Sequence, residues 1–149
     1  MFRNENSRIT DLGYTKITNS KEVINRLVTS LELENKSPFL WEDLYEFVEI
    51  LDFYHENELV NLLMNIKSIN LYLFPEITVP MGENASCFTV GNRNDTEVFI
   101  LSDKSKFIND LDHFFVDDYY IFDDSFSWII AVSHEEQDEL GHKVIYLKK

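Results

Sequence analysis

Tyr119-Tyr120-Ile121-Phe122-Asp123-Asp124-Ser125-Phe126-Ser127-Trp128-Ile129-Ile130-Ala131-Val132 is the clearest strand signal in the chain. An aromatic run leads into the turn formers Asp123-Asp124-Ser125, and a second apolar run starts at Trp128. The pattern predicts two strands joined by a turn. Because side chains alternate faces along a strand, about half of these aromatics are expected to face outward. Downstream, Lys143 to Leu147 reads as the last strand. Just upstream, Asp103 is placed to cap a helix that buries Phe107, Ile108, Leu111, Phe114 and Phe115.

Further back, Cys87-Phe88-Thr89-Val90 and Glu97-Val98-Phe99-Ile100-Leu101 flank the turn-rich Gly91-Asn92-Arg93-Asn94-Asp95, so a hairpin is expected. Ile69-Asn70-Leu71-Tyr72-Leu73-Phe74 reads as a strand stopped by Pro75. Before Ile69 the period is helical. Ser20 opens a helix with Val23, Ile24, Leu27, Val28 and Leu31 inward. Ser37-Pro38 opens a second, with Leu40, Leu44, Phe47, Val48 and Leu51 on one stripe and Glu42, Asp43, Glu46 and Glu49 mostly opposite. A third buries Leu59, Leu62, Leu63 and Ile66 behind Glu56 and Glu58, which suit the positive end of its dipole. Residues 1–19 read as an arm or short strand. The expected fold is α+β: N-terminal helices packed on a mostly antiparallel sheet with one inserted helix. Without repeats or linkers, residues 1–149 are expected to form one domain.

Hydrophobic residues make up 44% of the 149 and aromatics 14%, too many for a disordered acidic chain. A single cysteine, Cys87, excludes an intrachain disulfide. No apolar stretch follows Met1-Phe2-Arg3-Asn4-Glu5, and no window approaches the roughly 18 apolar residues that span a bilayer. A cytoplasmic location is expected. The net charge is -14, and it is unevenly held: between Lys36 and Lys143 there are 22 acidic residues against four basic ones. Such like charge repels itself unless a cationic partner offsets it. It also disfavours anionic membranes and direct nucleic-acid binding.

Signatures of chemistry are sparse. The four glycines form no phosphate-cradling loop, and no serine sits in a G-x-S-x-G elbow. Cys87 reads as a small buried hydrophobe. His134-Glu135-Glu136 lacks the second histidine of a metalloprotease helix, since position 138 is Asp. His134, Glu135, Asp138 and His142 can be drawn together around a metal, but a solvated loop explains the same residues. His113 beside Asp112 reads as a surface histidine. The adjacent pairs Asp117-Asp118 and Asp123-Asp124 send one carboxylate to each face of a strand, unlike a glycosidase pair, and do not match a calcium loop. The chain is therefore expected to be non-enzymatic, with neither cofactor nor metal.

An interaction surface is the reading that remains. The expected partner-binding residues are Glu42, Glu46, Glu49, Asp110, Asp112, Asp117, Asp118, Tyr119, Tyr120, Asp123, Asp124 and Trp128. Acidic groups speed encounter with a basic partner, while Tyr and Trp supply anchors.

The stretch from Tyr119 through Trp128 to Glu135 resembles a segment of small acidic bacterial proteins, among them immunity proteins of toxin–immunity systems. The resemblance rests on an aromatic strand, a turn and a Trp-containing strand, and it transfers no individual residue. It implies a cytoplasmic protein that neutralises a cognate toxin by covering its active site. The leading expectation is thus an immunity or inhibitor protein for a basic toxin domain, such as a nuclease. Its rivals are an acidic DNA mimic that inhibits a DNA-binding protein and a general regulatory binding module.

Overall fold

The computed structural model describes residues 4–68, 70–81, 87–114, 116–138 and 141–149. The predicted α+β architecture is present. Among the described residues the strands are β1 (Thr15–Lys16), β2 (Asp52–His55), β3 (Leu71–Pro75), β4 (Thr78–Met81), β5 (Cys87–Val90), β6 (Phe99–Leu101), β7 (Tyr119–Asp123), β8 (Trp128–Asp138) and β9 (Gly141–Lys148). Five helices accompany them: α1 (Glu5–Asp11), α2 (Ser20–Ser30), α3 (Leu40–Leu44), α4 (Leu59–Asn65) and α5 (Lys104–Asp110). Seven strands make one antiparallel sheet in the order β1-β6-β3-β7-β8-β9-β2, and β4 pairs separately with β5.

Helices cover both faces of the large sheet. On one face Tyr120, Phe122, Ile129, Ala131, Ile145 and Leu147 pack against Ile24, Leu27, Leu40 and Leu44 of α2 and α3. On the other, Tyr119, Ile121, Trp128, Ile130, Val132 and Val144 pack against Ile9, Leu59, Leu63 and Phe107 of α1, α4 and α5. This double cover explains why β7 from Tyr119 to Phe122 and β8 from Trp128 to Val132 are continuously apolar. It also corrects the expectation that half of their aromatics face outward: Tyr119, Tyr120, Phe122, Phe126 and Trp128 are all buried. The predicted β7–β8 hairpin is present, with Tyr119 opposite Val132 and Ile121 opposite Ile130. In its turn, the Asp123 carboxylate accepts from the Ser125 amide at 2.9 Å, and Phe126 takes the left-handed conformation at φ 54°.

Four other expectations change. The N-terminal segment, expected as an arm or short strand, holds the short strand β1 but also the helix α1, which the Asn4 side chain caps through the Ser7 amide at 2.9 Å. The second helix is short, since after α3 the chain passes into 3-10 turns over Tyr45–Ile50 that are kinked at Phe47. That tighter winding rotates Val48 out to solvent and breaks the apolar stripe. Asp43 is buried instead, accepting from the Ser37 hydroxyl at 2.7 Å. Finally, Cys87–Val90 and Glu97–Leu101 form no hairpin: β5 pairs with β4, and β6 pairs with β1 and β3. Gly91 serves a close backbone approach there, its amide donating to the Ile77 carbonyl at 2.5 Å. A Cβ at Gly91 would sit 3.2 Å from that oxygen. The start of the strand at Ile69, the burial of Phe115 and the side chain of Cys87 lie outside the described residues.

Asp103 caps α5 as expected, accepting from the Lys106 amide at 3.0 Å. Replacing Asp103 with alanine should cost about 1 kcal/mol, read as a lower urea midpoint with an unchanged slope.

Candidate functional site

Of the acidic residues between Lys36 and Lys143, Asp43, Glu76, Asp118 and Asp123 are buried, while most of the other described ones are exposed. Glu76, 2% exposed, accepts from the Leu40 amide at 2.6 Å, the Tyr120 hydroxyl at 2.8 Å and Arg93 Nη2 at 2.9 Å. Asp118, 3% exposed, accepts from Trp41 Nε1 at 3.1 Å and the His134 amide at 3.0 Å. Asp123 is buried in its turn, where it also accepts from the Ser68 hydroxyl. Asp110 accepts from the Tyr14 hydroxyl at 2.5 Å and Lys106 Nζ at 2.7 Å, and the lysine holds its carboxyl below the usual range. Glu42 accepts from the Phe39 amide at 3.1 Å at the start of α3. These groups hold the fold rather than project a field.

Five residues expected at the interface are therefore core residues. Asp118, Tyr119, Tyr120, Asp123 and Trp128 are buried, because the second helical layer covers the face they were expected to present. Tyr120 donates to Glu76 and accepts the Trp41 amide at 3.0 Å. Tyr119 packs edge-on against Phe114, and Trp128 against Tyr146. Of the Asp110–Asp124 cluster, only Asp112, Asp117 and Asp124 are exposed.

Two histidines are oriented by carboxylates. His134 Nδ1 lies 2.9 and 2.8 Å from the two oxygens of Asp118, while its ring meets Phe39 and Trp41 edge-on. Its side chain is 43% exposed, so Nε2 is the nitrogen turned away from the carboxylate. His142 sits between Glu56, whose oxygen is 3.3 Å from Nδ1, and Asp117, 3.8 Å from Nε2, an ion-pair rather than a hydrogen-bond distance. Asp117 first and then Glu56 raise the His142 pKa, and His142 lowers that of Asp117. The side chains of Glu135 and Asp138 lie outside the described residues. Among the described ones, no group of three or more His, Cys, Asp or Glu is placed to hold a metal ion.

The His142 clamp has a definite pH signature. The folded state holds this proton more tightly than the unfolded chain, so the stabilisation is complete below about pH 6.5 and disappears as pH rises through the folded value. The Asp117 contribution has the opposite sense and is lost as pH falls below about 3.8. Replacing His142 with alanine should flatten the decline of the melting temperature as pH rises above about 6.5.

One surface combines acid with exposed apolar side chains: Glu46-Phe47-Val48-Glu49-Ile50-Leu51-Asp52-Phe53, the 3-10 turn and the start of β2. Val48 is 54% exposed, Ile50 53% and Phe53 40%. Glu46, Glu49 and Asp52 are exposed between them. Glu46 pairs with Lys36 at 3.2 Å, whereas Glu49 and Asp52 make no ion pair with any described residue. In sequence Phe47, Val48 and Leu51 read as part of one helical stripe, which assigned Val48 to the core and set Glu46 and Glu49 mostly opposite.

β2 is an edge strand of the large sheet, but it offers a partner little backbone. His55 donates its amide to the Glu58 carboxylate at 3.1 Å, so Phe53 and Leu51, two and four residues back, also turn their amides away from β9. The Leu51 amide is taken by the Val48 carbonyl at 3.4 Å. A blunted edge of this kind resists strand addition, so contacts here run through side chains.

Comparison of the chain with known protein families, curated proteins and solved structures finds no match. Among the described residues, no helix is long and apolar enough to cross a membrane.

Proposed function

We propose that this protein is a non-enzymatic immunity or inhibitor protein that binds a basic toxin domain through the Glu46–Phe53 ridge. The observation that carries the reading is the placement of Val48, Ile50 and Phe53, exposed, among the exposed carboxylates Glu46, Glu49 and Asp52. Apolar side chains inside a charged rim have the anatomy of an interface centre, and the rim selects a basic partner. A nuclease domain fits this chemistry, because it needs positive charge to hold phosphate. The apolar centre weighs against a DNA mimic, whose surface would carry carboxylates spaced like phosphates. A role within the cytoplasm accords with this reading.

The test is binding by a purified basic domain encoded beside this protein, measured between 50 and 300 mM salt. Association should slow as salt rises, because the Debye length shrinks. Replacing Ile50 with lysine should weaken binding by at least about thirtyfold, the effect of losing a central anchor. Salt-independent association, or full affinity in Ile50→Lys, would remove the ridge from consideration. Displacement of the basic domain by duplex DNA together with an inert ridge would instead favour the mimic.

A further inference from the structure

We infer that the stacked rings of Tyr45 and Phe53 form a receptor for an arginine side chain of the basic partner, which this chain's own Lys143 occupies in the free protein. This rests on the docking reading above and specifies the group that the ridge recognises. The ring centroids are 6.0 Å apart with planes inclined by 24°. Lys143 Nζ lies 4.7 Å from the Phe53 centroid and 5.5 Å from that of Tyr45, within cation–π range of both. The platform has two independent supports, Tyr45 from the 3-10 turn and Phe53 from β2.

The arrangement follows from register. Lys143 is paired with His55 and Ile145 with Phe53, so the lysine reaches diagonally back over the neighbouring ring. β2 has no strand beyond it, and Phe53 is 40% exposed, so an incoming side chain meets the rings without opening the core. Tyr45 and Phe53 are joined by the segment that carries Glu46, Glu49 and Asp52, all exposed; Glu46 pairs with Lys36, so Glu49 and Asp52 are the carboxylates beside the platform that attract a second cation. Arginine is the fitting occupant. Its planar guanidinium stacks flat on aromatic rings and is weakly hydrated, whereas an ammonium gives up more water to sit there. Lys143 is only half-buried, so once displaced its ammonium returns to water instead of being stranded.

The experiment titrates N-acetyl-arginine amide, and separately N-acetyl-lysine amide, into the wild type, Lys143→Gln, Phe53→Leu and Tyr45→Leu proteins, following aromatic ring resonances by NMR. Melting temperatures confirm that each variant is folded, and having a substitution on each ring keeps the test alive if one variant is not. The arginine probe should shift the Tyr45 and Phe53 signals and bind Lys143→Gln roughly two- to fivefold more tightly than wild type, the factor expected when one exposed cation–π competitor is removed. Either ring substitution should abolish the effect, and the lysine probe should bind more weakly. Equal binding of both probes, unchanged affinity in Lys143→Gln, or shifts that survive loss of the rings would overturn the assignment. The two readings fail separately. A basic domain that is sensitive to Ile50→Lys but indifferent to Lys143→Gln and Phe53→Leu refutes the ring receptor and leaves the docking ridge. Arginine binding at the rings without any binding of the basic domain does the reverse.

Discussion

Replacing Glu76 with alanine is expected to destabilise the protein by about 3–5 kcal/mol, the cost of leaving a buried ion without its partner. Glu76 follows β3 and receives three donors from separate elements: the Leu40 amide at the start of α3, the Tyr120 hydroxyl in β7, and Arg93. The Arg93 side chain is largely buried, and its Nε already lacks a hydrogen-bond partner. Its remaining bonds go to the Pro38 carbonyl at 2.8 Å and to the Asn35 side chain. Without the carboxylate, the guanidinium, the Leu40 amide and the Tyr120 hydroxyl all lose an acceptor. Urea denaturation of Glu76→Ala, Arg93→Ala and the double variant measures this. The double variant should lose clearly less than the sum of the singles, because removing both ions strands neither. Strict additivity would show that the pair does not act as a unit. The same anchor fixes the entry to α3 and so the direction in which the 3-10 turn carries Val48, Glu49 and Ile50. A destabilised Glu76 variant should therefore also bind a partner at the ridge more weakly.

That network also shows where the sequence was legible. The hairpin from Tyr119 to Val132, the Asp103 cap and the buried Leu59 and Leu63 depend on local periods and turn residues, and each is present. The acidic residues depend on long-range partners. Nothing near Glu76 in sequence announces that Arg93, Leu40 and Tyr120 will converge on it. Nor can a single-strand pattern show that the sheet is covered on both faces, which is what buries Tyr119, Tyr120 and Trp128. The ridge was hidden for a different reason. Val48 fits an α-helical count, and the 3-10 turns with their kink at Phe47 turn it out. An acid-and-apolar alternation from Glu46 to Phe53 was its visible trace. Gly91 misled in the opposite direction, since glycine serves a close backbone approach as readily as a hairpin turn.

Replacing Asp118 with alanine should cost about 2–4 kcal/mol, because each buried donor left without an acceptor is worth about 1–3 kcal/mol. The affected donors are the indole nitrogen of Trp41 and the backbone amide of His134, and the imidazole of His134 loses the group that orients it. Trp41 itself packs against Phe39 and Tyr45, so the loss reaches the base of the ridge. Burial raises the Asp118 pKa, a shift that the hydrogen bonds and charge of His134 only partly oppose. The folded protein therefore keeps this proton where the unfolded chain has lost it. Its contribution to stability must fall as pH rises from about 3.8 through the folded value. Asp118→Asn separates the two roles: it keeps an acceptor of the same shape but removes the titration. Urea midpoints from pH 3 to 7 should show the wild type losing stability relative to Asp118→Asn across that interval and then running parallel to it. Asp118→Ala should lie well below both throughout. A wild-type-to-Asn difference that does not change with pH would mean that Asp118 titrates alike in the folded and unfolded chains. An alanine variant within about 1 kcal/mol of wild type would mean that Trp41 and His134 find other acceptors, and that the carboxylate does not hold α3 against the sheet.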